Sequence, residues 1–155
     1  SNVGYDIYRV PAEGGGEAQK ITDASGGYSA LAFTPDGRTL LFRHAVQDDN
    51  VYNLPRLMRM PWPATGAMQP VALGFDREPV RFAITPDSRT AYMLVHEGAR
   101  QSLYRVPVAG GTPQRVIYPP SGSYVALSIP AKASATTLIG SWGSATSPNE
   151  VVRID

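Results

Sequence analysis

The sequence predicts an all-β chain of repeated four-stranded antiparallel sheets, and three observations predict it. The turn Thr34-Pro35-Asp36-Gly37, with apolar runs on both sides, returns as Thr85-Pro86-Asp87-Ser88 some 51 residues later. A longer segment, DIYRVPAEGGGEAQKIT from Asp6 to Thr22, returns from Arg56 to Leu73 and from Ser102 to Tyr118. Its first half closes the chain as EVVRID. Finally, the apolar runs are short, rich in Leu, Val, Ile, Phe and Tyr, and bounded by Gly, Pro and Asn, which is the punctuation of strands. The arginines of the long copies, Arg9, Arg59, Arg105 and Arg153, stand 50, 46 and 48 residues apart, and Gln19, Gln69 and Gln114 keep the same step. Such a period marks one supersecondary unit repeated in space.

Taken in order, residues 5–22 supply the last two strands of one unit. Residues 28–73 read as a complete unit: the strand GYSALAF, the TPDG turn, TLLFRHA, a polar connection, LPRLMRMPW, a Gly-bearing turn and QPVAL. Pro35 presets φ for the first central position of a type I turn, and the Asp36 side chain can bond local backbone. Gly37 supplies the permissive exit, so the serine at 88 predicts a slightly different second turn. NLPRLMRM has Leu54, Leu57 and Met58 at helical spacing. Yet Pro55 and Pro61 bracket it, and its partners YDIYRVP and QSLYRVP read as strands, so it too is assigned to a strand. Residues 78–118 repeat the unit. Residues 124–155 hold the first three strands of another, where ALSIPAKASATTLIGSW is a degraded copy that aligns Pro130 with Pro86.

ALAF, TLLF and AYMLV put apolar groups on both faces, whereas a sheet with one wet face would alternate. Sheets covered on both sides and repeated at this period are blades of a β-propeller. The prediction is therefore a propeller section of about three four-stranded antiparallel blades. Closed propellers hold four to eight blades, so it is incomplete.

FTPDGRTLLF, ITPDSRTAYML, IYRVPAEGGGEAQKIT and LYRVPVAGGTPQRVI resemble the TolB-type propeller repeat across essentially the whole chain. The Trp-Asp and Gly-His marks of WD repeats are missing, since Trp62 precedes Pro63 and Trp142 precedes Gly143. GSWGSATSPNEVVRID is similar to the closing blade of prolyl oligopeptidase-family propellers, although Val151-Val152 stands where a tyrosine is commoner. That resemblance implies a propeller lying over a Ser-Asp-His hydrolase domain and filtering the peptides that reach it. None of the hydrolase chemistry maps onto positions of this chain. The expected role is thus a non-catalytic section of such a peptidase. The alternative is a TolB-like protein-binding scaffold with no enzyme attached, and a propeller enzyme with its own metal site ranks third.

Composition bounds the class of chain. Hydrophobic residues make up 43% and charged residues 17%, with a net charge of +1, so the chain folds but offers nucleic acid no basic footprint. Cysteine is absent, which excludes disulfides and thiolate metal sites. No apolar run reaches the roughly 20 residues of a membrane span. Ser1-Asn2 reads as an expression scar, so the lack of a leader carries no information. A periplasmic or secreted location is favoured over the cytoplasm. Expected partners are the remaining blades, a hydrolase domain of the parent chain, a peptide or protein ligand, and a second copy of this chain completing a ring.

Chemistry is sparse. A nucleophile elbow needs G-x-S-x-G; Gly27-Tyr28-Ser29-Ala30-Leu31 fails at its last glycine, and Gly140-Ser141-Trp142-Gly143-Ser144 centres on tryptophan. Gly14–Gly16 is no phosphate cradle, because no helix follows. Asp48-Asp49-Asn50 lacks the glycine and bidentate glutamate of a calcium loop and reads as solvated. No catalytic, cofactor or metal residue is therefore assigned. The candidates for peptide or partner contact are Trp62, Tyr118, Tyr124 and Trp142, large aromatics near predicted loops. His44 and His96, at the ends of equivalent strands, join them. Core packing is the plainer reading of the aromatics, and a strand-end position that of the histidines.

Overall fold

A computed structural model describes residues 5–22, 26–48, 53–64, 66–132 and 137–154. They form four antiparallel sheets and no helix. The first sheet pairs β1 (Tyr8–Arg9) with β2 (Gln19–Lys20). The second runs β3 (Gly26–Phe33), β4 (Thr39–Val46), β5 (Arg56–Pro61) and β6 (Gln69–Pro70), each strand paired to the next. The third repeats that meander as β7 (Pro79–Ile84), β8 (Thr90–Glu97), β9 (Arg100–Pro107) and β10 (Gln114–Ile117). The fourth holds β11 (Ser123–Ser128), β12 (Leu138–Ser144) and β13 (Ser147–Ile154). The segment at helical spacing is strand β5, paired with β4 from Thr39↔Pro61 to His44↔Arg56.

The sheets cover one another. Alternation along a strand sends neighbouring side chains to opposite faces, and β4 shows both faces at work. Leu40 and Phe42 join Ile7, Tyr28 and Met60 against the first sheet, while Leu41 joins Leu57, Val71, Met93 and Val106 against the third. β8 behaves alike, with Ala91, Met93 and Val95 on one side and Leu94 on the other, the latter packed with Leu103, Leu138 and Ile154 of the fourth sheet. Both four-stranded sheets are thus sandwiched, which is why their strands do not alternate apolar with polar.

The repeated turn is nearly the same object twice. Thr34 Oγ1 donates to Asp36 Oδ1 at 2.6 Å, the Arg38 amide donates to the same carboxylate at 3.0 Å, and the Thr39 amide donates to Thr34 Oγ1 at 3.0 Å. Thr85, Asp87, Arg89 and Thr90 reproduce each bond at 2.6, 3.0 and 3.0 Å. The expected difference at position 88 does not occur: Ser88 takes φ of +63° where Gly37 takes +70°. A hydrogen bond accompanies this left-handed serine, because its Oγ accepts from the Asp36 amide at 3.1 Å and ties the two turns together across neighbouring sheets.

A second repetition lies on the outer strand pairs. Arg9, Arg59 and Arg105 stand directly across from Gln19, Gln69 and Gln114. Each guanidinium donates to its glutamine's Oε1, at 2.7 Å from Arg59 and 3.1 Å from Arg105.

Candidate functional site

The third and fourth sheets meet at one end in an open cleft of about 430 Å³, lined by Ala99, Arg100, Gly122, Ser123, Gly143, Ser144, Ala145 and Asn149. Its parts follow from local geometry. Glu97 and Arg100 close the β8–β9 hairpin across the two-residue turn Gly98-Ala99. Gly98 has φ of +62°, the first central conformation that a tight type II′ turn demands. The hairpin brings Arg100 to the cleft wall, where its Nη1 donates to the Pro119 carbonyl at 2.9 Å. Its guanidinium carbon lies 5.3 Å from the Tyr118 ring centroid, and that of Arg115 lies 5.4 Å from the same ring. These are cation–π distances.

The opposite wall depends on two glycines. A Cβ on Gly122, whose φ is +65°, would stand 2.3 Å from the Gly143 carbonyl oxygen and 2.7 Å from the Trp142 indole. A Cβ on Gly143 would stand 2.0 Å from Asn149 Oδ1. The indole is held at the same edge, donating Nε1–H to the Ser121 carbonyl at 3.1 Å. Small residues therefore form the floor, and Asn149, Ser123 and Ser144 supply neutral hydrogen-bonding groups.

Beside the cleft, Glu97 is already fully engaged. It pairs with Arg77 and, at 3.2 Å, with Arg115, and it accepts from the Tyr104 hydroxyl at 3.2 Å. Its carboxyl is held below the ordinary glutamate value. The Ser102 hydroxyl beside it, short of a well-formed hydrogen bond, contributes most, followed by Arg77, Tyr104 and Arg115. Burial, with the Glu97 charge second, pushes the Tyr104 phenol up. Arg100 faces Glu97 in register, yet no carboxylate of the described residues pairs with it.

The candidate residues divide between places. Tyr118, Tyr124 and Trp142 gather at this junction: Tyr124 is the cross-strand partner of Trp142 and packs with Leu94 and Leu138. Trp62 lies elsewhere, edge-on to Phe33 at 5.0 Å, in an apolar cleft of about 390 Å³ between the first and second sheets. His44 and His96 face different ways. His44 is buried and stacks on Tyr28 with centroids 4.5 Å apart, on the face of β4 turned to the first sheet. His96 is exposed, its Nδ1 3.5 Å from Glu78, which also holds Arg43 at 2.6 Å. Of the acidic run, Asp48 accepts from Asn53 Nδ2 at 2.5 Å, and Asp49 and Asn50 lie outside the described residues. Among the described residues no three His, Cys, Asp or Glu side chains gather to hold a metal ion. Arg100 carried no signal in the sequence, and Asn149 stood out only as part of the SPNE stretch behind the peptidase resemblance. Gly143 is the mark that was present and unread, because it directly follows a strand tryptophan; the approach of Gly122 to the same indole shows only in the structure.

Comparison with solved structures settles the architecture. A putative TolB from Agrobacterium tumefaciens superimposes with a TM-score of 0.70 at 18% identity, over 97% of this chain and 52% of that one. The β-propeller domain of the Trilobed protease from Pyrococcus furiosus gives 0.70 at 14% identity, over 97% and 43%. The fold is a β-propeller section. A puromycin-hydrolyzing peptidase from Mycobacterium tuberculosis gives a TM-score of 0.56 at 16% identity, covering 89% of this chain and 29% of that one. The propeller section thus spans between 29% and 52% of these three chains. No family model and no curated protein sequence matches it.

Proposed function

We propose that this chain is a non-catalytic propeller section of a prolyl oligopeptidase-like serine peptidase, which contacts peptides at its loop ends and filters them. The observation that carries the reading is the cleft between the third and fourth sheets. A floor of glycine and alanine lets a peptide main chain approach, and a rim of Ser123, Ser144, Asn149 and Arg100 offers it hydrogen bonds. The peptidase propellers among the structural neighbours support it further. On this reading the partners are the remaining blades and a hydrolase domain of the parent chain, in a periplasmic or secreted setting. A second reading, a TolB-like scaffold that docks folded proteins, is supported by the equally good superposition on TolB.

Two experiments separate them. A parent gene that encodes, beyond Asp155, a further domain of ordinary length carrying G-x-S-x-G favours the peptidase. More blades alone favour the scaffold. On the chain itself, short unstructured peptides should shift amide resonances around Gly122 and Gly143. The chain alone should hydrolyse no peptide; turnover by the pure protein overturns the non-catalytic assignment.

A further inference from the structure

We infer that the cleft between the third and fourth sheets is a carboxylate site, with Arg100 as its anchor and the carboxylate of a bound peptide as its ligand. The inference rests on the peptide-binding reading above and specifies which chemical group of the peptide is held.

The argument begins with charge. Glu97, the carboxylate across the hairpin from Arg100, is taken by Arg77, Arg115 and the Tyr104 hydroxyl. Arg100, its nearest partner in the hairpin register, is left with one backbone carbonyl and the face of Tyr118. A guanidinium carries five N–H donors, and a single carbonyl acceptor leaves most of them to point elsewhere. The cleft that Arg100 lines holds no acidic side chain. Glu150, next in sequence to Asn149, stands opposite Trp142 in the strand register and is not among the residues that line the cleft. A planar fork of donors with an unopposed positive charge is matched by a carboxylate, which it grips through two parallel hydrogen bonds.

The neutral lining narrows the ligand to a peptide end or an acidic peptide side chain. Ser123, Ser144 and Asn149 can donate to and accept from peptide amides, and Ala99, Gly122, Gly143 and Ala145 leave room for main chain. The 430 Å³ volume lies in the range of small-ligand sites and suits a short peptide segment. Gly143 serves this site directly, since any side chain there would displace the Asn149 amide.

The test is an amide-resonance titration of the intact chain with three probes: N-acetyl-trialanine as free acid, the same peptide as its C-terminal amide, and the amidated peptide with a central glutamate. The free acid is expected to shift resonances of residues 122–124 and 143–149. Arg100→Gln should weaken it on the order of tenfold or more, and Arg100→Lys by less, because charge is kept and the fork is lost. Melting curves of both variants establish that they fold. Binding of the free acid but not the glutamate peptide assigns the ligand as a chain terminus, and binding of both assigns it as any peptide carboxylate. Equal binding of the neutral amide, or an Arg100→Gln variant that binds like the parent, overturns the carboxylate site while leaving peptide binding intact. Failure of every probe to bind anywhere on the chain overturns the peptide reading as well.

Discussion

Ser88 offers a sharp test of how the two turns are built. It holds φ of +63°, a conformation that costs an L-residue about 1–2 kcal/mol relative to glycine. Its Oγ also accepts from the Asp36 amide at 3.1 Å, an exposed bond whose worth falls at the lower end of about 0.5–1.5 kcal/mol. Ser88→Ala keeps the strained backbone and loses the bond, so it should destabilise by about 0.5–1 kcal/mol. Ser88→Gly loses the same bond and relieves the backbone, but it adds about 0.4–1 kcal/mol of unfolded-state entropy. The glycine variant should therefore exceed the alanine variant by about 0.5–1 kcal/mol and lie close to the parent. Urea denaturation with a shared slope reads this as a shift in midpoint, and thermal unfolding as about 2–4 °C per kcal/mol for a chain of this length. A glycine variant less stable than the alanine one would refute the account, because the left-handed backbone would then not be the dominant cost.

The remaining predictions follow from packing and titration. Gly122→Ala must push a methyl group into the Trp142 indole and the Gly143 carbonyl, and should cost about 3 kcal/mol or more in denaturant melts. Gly37→Ala meets nothing within 4 Å and should cost only its backbone strain, about 1 kcal/mol. Leu94→Ala opens a cavity between the third and fourth sheets and should cost about 2–5 kcal/mol, measured the same way. The Thr34 hydroxyl and Arg38 amide hold Asp36 below its ordinary 3.8, and Thr85 and Arg89 do the same for Asp87. Lowered folded values mean that this stability is present above the unfolded value and is lost as pH falls through the folded one. Asp36→Asn combined with Asp87→Asn should flatten stability against pH below about 4, followed by far-UV circular dichroism under acid titration.

The sequence made the strand order legible because the same residues recur at the same step, and because Pro55 and Pro61 bar a helix through β5. Burial on both faces was legible from TLLF and AYMLV, whose consecutive apolar residues need two cores. The Arg–Gln pairs stood in the sequence as two series with one spacing, but only the strand register shows that they face each other. Ser88 was misjudged because a left-handed serine is justified by its bond to Asp36, 52 residues away in the chain. The cleft stayed hidden for the same kind of reason. Arg100, Gly122 and Asn149 come from separate strands and turns, and no local pattern announces that tertiary packing brings them together. The aromatics were singled out by size and predicted loop position, neither of which tells where they lie: Tyr118, Tyr124 and Trp142 stand at one junction and Trp62 at another.

The apolar clusters lie between sheets rather than inside any one of them, and this has a mechanical consequence. A pulling force or a rising denaturant concentration should peel the molecule in slices, with the margins loosening before the middle. The pair β8 and β9, gripped on both flanks, is where slow amide exchange should persist longest. Resistance to unravelling thus grows with each neighbour a slice acquires, so enlarging the ring would toughen parts whose own residues never change.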